Sequence, residues 1–295
     1  MIVAFVQRLL TATITRNVGN FTGTIPPSNS VTLSGLRMSA KITNATGMTQ
    51  SNLSLAIFGM TLDMMNDLST LGLAIRITPR ASIVLSAGNV KDGMTIVFQG
   101  NFFSAWADFQ AMPEVAFRIE ANSVVQGALT TAKPTSFQGN HDAATALAAL
   151  AKQMGLKFEN NGVSVQLSNS YLSSNPWVQA LEIAENANIN IFSGNGVLSI
   201  WPKNSGRTSQ GVAIVSSKTG MDRYPTYTAN GILVRTLFNP ALVFGGKIQV
   251  ISDLKPACGI WCIYKLDLDL DCMVPNGQWF ETISAYPPGV TPTPS

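Results

Sequence analysis

The chain has 295 residues, enough for about two domains, and its net charge is only +3. Hydrophobic residues make up 46 % and charged residues 12 %, about half the usual ~25 %, which excludes charge-driven disorder. The Lys and Arg are dispersed, so no strong nucleic-acid patch is visible, and the 24 glycines and 15 prolines follow no collagen-like period. A polar surface of Ser, Thr, Asn and Gln suits a chain that buries much of itself against partners, because burying a charge is costly unless it is paired.

The apolar start, Met1 to Val6, is interrupted by Gln7 and Arg8 and reads as a first strand rather than a signal peptide. No stretch approaches the ~20 apolar residues of a membrane span. Leu36, Met38, Ala40 and Ile42 alternate with Arg37, Ser39 and Lys41, the pattern of a half-buried strand, and Leu53, Leu55 and Ile57 repeat it. Further strands are expected at Ile83–Leu85, Met94–Phe98 and Val115–Ile119. Between them, Thr61 to Leu71 predicts a short helix with Thr61 as cap, Asp63 in the first turn, and Leu62, Met65 and Leu68 on one face. Six or so strands and one helix predict a compact barrel over residues 1–136.

The middle changes character. Asp142 to Met154, rich in Ala and Leu and stopped at Gly155, predicts a helix. Leu156 to Leu167, with Asn160-Asn161-Gly162 at its centre, predicts a hairpin. Asn175-Pro176 opens a second helix running to about Ala187, and Ile189 to Trp201 reads as a second hairpin. Residues 137–203 are therefore expected to form a small α/β domain of two helix–hairpin repeats. After a polar linker, residues 204–286 are again strand-rich, and the Pro-rich end, residues 287–295, is expected to be an extended tail. Gly231-Ile-Leu-Val234-Arg235 resembles Gly35-Leu-Arg37-Met38, and Phe98 to Phe103 resembles Cys258 to Ile263. This self-similarity predicts two related barrels flanking the α/β domain, an α+β and mainly β chain.

Little catalytic chemistry is available. Three cysteines form no complete disulfide framework. Cys258 and Cys262 could pair or be free, and buried thiols in a strand are favoured over a metal site. His141 is the single histidine, next to a helix start where Asp142 is badly placed to orient it, so a triad is not expected. P-loop, HExxH and GxSxG motifs are absent. Trp106, Trp177, Trp201, Trp261 and Trp279 lie mostly in apolar runs and read as core rather than a sugar platform. Asp267, Asp269 and Asp271 alternate with Leu266, Leu268 and Leu270, which places three carboxylates on one strand face. A plain solvent face, a calcium site and the wall of a channel are the three readings of that row.

The run Thr219-Gly220 … Pro225 … Gly231 … Arg235-Thr-Leu-Phe-Asn239-Pro240 … Gly245-Gly246-Lys-Ile-Gln-Val-Ile-Ser252 resembles the central baseplate hub proteins of contractile-tailed phages. The resemblance continues through Gly259-Ile-Trp261 and Pro275-Asn276-Gly277-Gln-Trp279, and covers roughly residues 30–285 at pattern level. It marks Pro225, Arg235, Asn239, Pro240, Gly245 and Gly246 as fold-signature positions. Pro240 is expected to end a strand, with the glycine pair turning the chain into the next. The Lys265-Leu-Asp267-Leu-Asp269 strand departs from the family, where His or Ser is expected.

The resemblance implies two tail-tube-like barrels, a homotrimer presenting six of them, and a virion protein of the tail baseplate assembled in the host cytoplasm. It implies partners in the tail tube or a tube-initiator protein, the central spike and other baseplate proteins. DNA would pass through without sequence-specific binding. The channel-wall reading of Asp267, Asp269 and Asp271 rests on their charge instead, because carboxylates repel phosphates and would let the polymer slide without sticking. From the residues themselves, no enzyme, no cofactor, no metal and no membrane are expected. A tail-associated cell-wall hydrolase and a sugar-binding β-protein are the competing functions.

Overall fold

A computed structural model describes residues 7–45, 50–69, 81–123, 135–136, 139–168, 171–209 and 211–290. The chain divides into two compact units. The first is built from Met1–Ile42, Asn52–Val125 and Leu268–Trp279; the second from Thr43–Ser51, Gln126–Asp267 and Phe280–Ser295.

The first unit holds β1 (Arg8–Arg16), β2 (Ser30–Ser34), most of β3 (Met38–Ala45), β4 (Asn52–Phe58), helix α1 (Leu62–Leu68), β5 (Ala81–Asn89), β6 (Gly93–Asp108) and β7 (Ala116–Asn122). Their order across the sheet is β3-β4-β7-β6-β5-β1-β2. The predicted alternation is present: Met38, Ala40 and Ile42, then Leu53, Leu55 and Ile57, then Ile83 and Leu85 are buried on one face with Phe98, Phe117 and Ile119. Thr61 caps α1 by accepting from the Met64 amide, and Met65 and Leu68 are buried while Leu62 is exposed. The N-terminal strand begins at Arg8; residues 1–6, and 70–71 of the expected helix, lie outside the described residues.

The second unit contains short strands β8 (Thr135–Ser136) and β9 (Asn140–Asp142), helix α2 (Ala143–Gln153), β10 (Lys157–Asn160), β11 (Gln166–Ser168), β12 (Tyr171–Leu172), helix α3 (Pro176–Asn186), β13 (Ile189–Gly194) and β14 (Val197–Pro202). Both helices begin at the expected caps, Asp142 and Asn175, each accepting a backbone amide three residues on. They bury Leu147, Leu150, Ala180 and Ile183 against Val163, Leu172, Ile189 and Ile200. The second hairpin, β13 with β14, is present. The first is not: β10 pairs in parallel with β14, and β11 pairs with β9. The Asn160-Gly162 turn is diverted because Asn160 closes locally on Val163 and Asn161 is drawn into longer-range hydrogen bonds.

The unit continues with β15 (Ala213–Ser216), β16 (Thr226–Thr228), β17 (Gly231–Leu237), β18 (Lys247–Ile251), β19 (Gly259–Cys272) and β20 (Trp279–Tyr286). Their order is β16-β17-β20-β19-β18-β15. Set beside the first unit, β4-β7-β6-β5-β1 and β17-β20-β19-β18-β15 have the same neighbours and the same order along the chain. The two differ at the last strand, since β1 runs antiparallel to β5 and β15 parallel to β18. The match pairs β17 with β4, whereas the sequence similarity pointed to the segment leading into β3. No closed barrel is found among the described residues. At the C-terminus, Pro287 to Val290 forms a turn, and residues 291–295 lie outside the described residues.

Asp142→Ala removes the oxygen that accepts from both the amide and the hydroxyl of Thr145 at 2.9 Å. It should cost about 1 kcal/mol of stability in chemical denaturation, as cap removal generally does.

Candidate functional site

Four of the six signature positions, Asn239, Pro240, Gly245 and Gly246, lie in the turn between β17 and β18, while Arg235 is on β17 and Pro225 precedes β16. β17 stops at Leu237, and Asn239 opens the turn by accepting the Ala241 amide on its side chain at 3.0 Å and the Leu242 amide on its carbonyl at 2.9 Å. Pro240 sits inside that turn, so strand pairing ends where the sequence predicted. Gly245 lies at φ +77, and a Cβ there would stand 2.8 Å from Trp201 Cζ2, which only glycine avoids. A Cβ on Gly246 would stand 2.9 Å from the Val243 carbonyl. The Gly246 carbonyl instead accepts the Ile263 amide, tying the turn to β19. Arg235 stacks over Phe280 at 4.0 Å and reaches Asp222 at 3.4 Å, a partly exposed pair of small worth. Pro225 is buried just ahead of β16.

Two acids that the sequence analysis passed over hold this turn. Glu159 on β10 makes a bidentate ion pair with Arg207, at 2.8 and 2.7 Å, and also accepts from Asn161 and Ser209. Arg207 in turn donates to the carbonyls of Phe244 and Gly245. Trp201 and Phe192 pack on Phe244, so the α/β segment and the second sheet share one clamp. Burial pushes the Glu159 pKa up, but the hydrogen bonds and charge of Arg207, with Asn161 and Ser209, outweigh it and hold the carboxyl below its usual range.

Glu281, on β20, is almost fully buried. Burial pushes its pKa well up, against a hydrogen bond from the Asn239 amide at 3.4 Å. Its signal was present in the sequence: Trp279, Glu281 and Ile283 alternate, and all three face inward.

On β19 the leucines 266, 268 and 270 are buried and the three aspartates are half-buried, as the alternation requires. The acids are not a bare row. Asp267 contacts Lys265 at 2.9 Å, Asp269 faces Lys41 at 3.9 Å, and Asp271 accepts the Gln278 amide at 2.8 Å. No cluster of metal-ligating residues is found among the described residues, so the geometry offers no calcium site there. His141 lies on β9 opposite Leu167, one residue before the α2 cap. Cys262 and Cys272 are buried, as expected of thiols in a strand. Cys258 is exposed, a correction that follows from its place in the turn before β19, and all three thiols are free. Trp177, Trp201 and Trp279 are core residues, whereas Trp106 is partly exposed.

Arg207→Ala leaves a partly buried Glu159 without its countercharge and should cost about 2–3 kcal/mol in chemical denaturation. Glu281→Gln tests the buried acid through pH. Because the folded pKa is raised, folded protein holds this proton more tightly than unfolded chain. Stability from this group is therefore full below about pH 4.5 and falls as pH rises through the folded value. The Gln variant, which keeps the acceptor for Asn239, should match the wild type at pH 4 and exceed it in melting temperature at pH 7–8.

A search of curated protein sequences finds no match. Solved structures with the same fold include a tail protein from Neisseria meningitidis MC58, with a TM-score of 0.63 at 10 % identity over 97 % of this chain and 98 % of that one. The 43 kDa tail protein of prophage MuSo2 from Shewanella oneidensis matches with a TM-score of 0.61 at 9 % identity, over 94 % and 97 %. A chain of the Francisella PdpA–VgrG complex, half-lidded, matches with a TM-score of 0.55 at 10 % identity, over 98 % of this chain and 59 % of that one. The family model described as baseplate hub gp41 matches residues 16–273, and the chain belongs to that family of phage tail structural proteins.

Proposed function

We propose that this protein is the central hub of a tail baseplate, a non-enzymatic homotrimer that joins the sixfold tail tube to the threefold spike. The observation that carries this is the repeated strand order, β4-β7-β6-β5 and β17-β20-β19-β18, within one chain. Three copies of a chain with two related modules present six modules, which meets a sixfold partner on one side and a threefold partner on the other. The modules are proposed to be tube-like β-barrels, residues 1–136 and 204–286, flanking the helix–strand domain of residues 137–203. Its partners are then further copies of itself, the tube or a tube-initiator protein, the spike and other baseplate proteins, with assembly in the host cytoplasm and residence in the virion.

The channel for DNA is proposed to be lined by Asp267, Asp269 and Asp271. Lys41 and Lys265 interleave with them, leaving one net negative charge on the strip. Such a strip repels phosphate weakly and offers few cations for it to release counterions against, which favours passage over binding.

The purified chain should sediment as a trimer and appear in electron micrographs as a six-lobed ring with threefold symmetry. A monomer, or a ring of another order, overturns the reading. His141→Ala should leave peptidoglycan intact, as the wild type does, and leave particle infectivity unchanged.

A further inference from the structure

We infer that the outer faces of β15-β18-β19 and of β5-β6 are the surfaces through which copies of this chain contact one another. This rests on the threefold reading above and names the surface that would carry it. In the second unit, Ile214 lies opposite Gln249, and Gln249 opposite Ile260, so the three form a row across β15, β18 and β19. Ile251 stands two residues along β18 on the same face, and Val212 two residues before Ile214. These four aliphatics are each 46–48 % exposed. The other face of the same strands is core, with Val215, Ile248 and Val250 buried. Four exposed aliphatics around Gln249, on strands whose other face is core, form an apolar patch that burial against a partner would stabilise.

The first unit repeats the feature on the matching strands. Met94 and Ile96 of β6, opposite Gly88 and Ser86 of β5, are 42 and 47 % exposed, while Leu85 and Ala87 beneath are core. β5-β6 and β18-β19 occupy the same places in the shared strand order. One apolar face, present twice per chain at equivalent positions, fits a contact repeated around a closed ring.

The charges beside it point to the same occupant. The β5–β6 tip carries Lys91 and Asp92, and the β18–β19 connection carries Asp253 and Lys255, one of each sign in both places. A surface of this kind is complementary to another copy of itself. Half-buried Lys247, on the same face of β18 as Gln249 and Ile251, adds a single cation, well short of the cationic run that a phosphate backbone or an anionic membrane would require. Each patch is small against the ~800 Å² per partner of a stable pair, so the interface gains its strength from two patches per chain acting within one ring.

The test uses the full-length chain. Ile214→Asp/Ile260→Asp should raise the midpoint concentration of trimer assembly, measured by sedimentation, by about 100-fold or more, because two charges would be buried unpaired. The melting temperature should stay close to the wild type, since both positions are half exposed. Ile214→Thr/Ile260→Thr, which keeps the β-branched shape, should shift the midpoint in the same direction and serves if the Asp variant misfolds. Independently, hydrogen exchange of the wild type should slow over residues 211–216 and 247–263 as concentration drives assembly. A trimer whose midpoint is unmoved by either pair, or whose exchange in these strands is unchanged on assembly, overturns this surface and leaves the threefold reading standing. A wild type that stays monomeric overturns the threefold reading and the surface with it.

Discussion

A strand that carries core leucines and acids in alternation has to keep its period. β19 (Gly259–Cys272), whose chain is divided between the second unit and the first at Asp267 and Leu268, does so from Leu266 to Cys272, after Cys262 and Ile263 are buried side by side. From Leu266 onward every even-numbered residue is buried and every odd-numbered one half-buried. A slip of one residue would turn Leu266, Leu268, Leu270 and Cys272 to the polar side and the aspartates inward. Three unpaired carboxylates would then need to enter a core, a cost of several kcal/mol apiece or a shift to the protonated form. The off-strand partners of the acids, Lys41 and the Gln278 amide, penalise the same slip. The row Asp267, Asp269 and Asp271 thus also acts as a register lock.

Where local chemistry decided the structure, the sequence was legible. Thr61, Asp142 and Asn175 cap helices because each side chain satisfies amides that the first turn leaves open. Ile189 to Trp201 formed its hairpin because the Ser193–Gly196 turn and the alternation agree. Phe238 to Lys247 behaved as a turn because proline and the glycine pair leave few other conformations. The segment 156–167 misled because its local signal was outvoted. Asn160-Asn161-Gly162 has hairpin composition, but β10 finds β14 forty residues away, and the Asn161 side chain serves the amides of Thr208 and Ser209 and the carbonyl of Ile200. Partners that distant leave no trace in a short window.

The acids show the same division. Three aspartates in alternation announced one strand face, and that is where they stand. What they face required Lys41, on a strand more than 200 residues earlier, and so was invisible. Glu281 could have been found, because its place between Trp279 and Ile283 puts it on the apolar parity of β20. Residue type argued for solvent and parity argued for the core, and parity won because β20 is an inner strand of its sheet, between β17 and β19. Glu159 gave no such warning, since its main partners, Arg207 and Ser209, lie about 50 residues along the chain.

These constraints explain how the fold matches solved tail proteins at about 10 % identity. Core aliphatics exchange for one another at small cost when volume and pattern are kept, so most of the sequence is free to drift. The turn between β17 and β18 is less free. Gly245 and Gly246 have no room for a Cβ, and Gly245 also needs a left-handed backbone. Asn239 must both accept the Ala241 amide and present its own amide to a buried carboxyl. Substituting either glycine breaks backbone geometry, whereas replacing Asn239 removes the side-chain acceptor of the Ala241 amide. Restrictions of this kind concentrate the recognisable signature in a few backbone-limited positions, while the strands on either side retain only their parity.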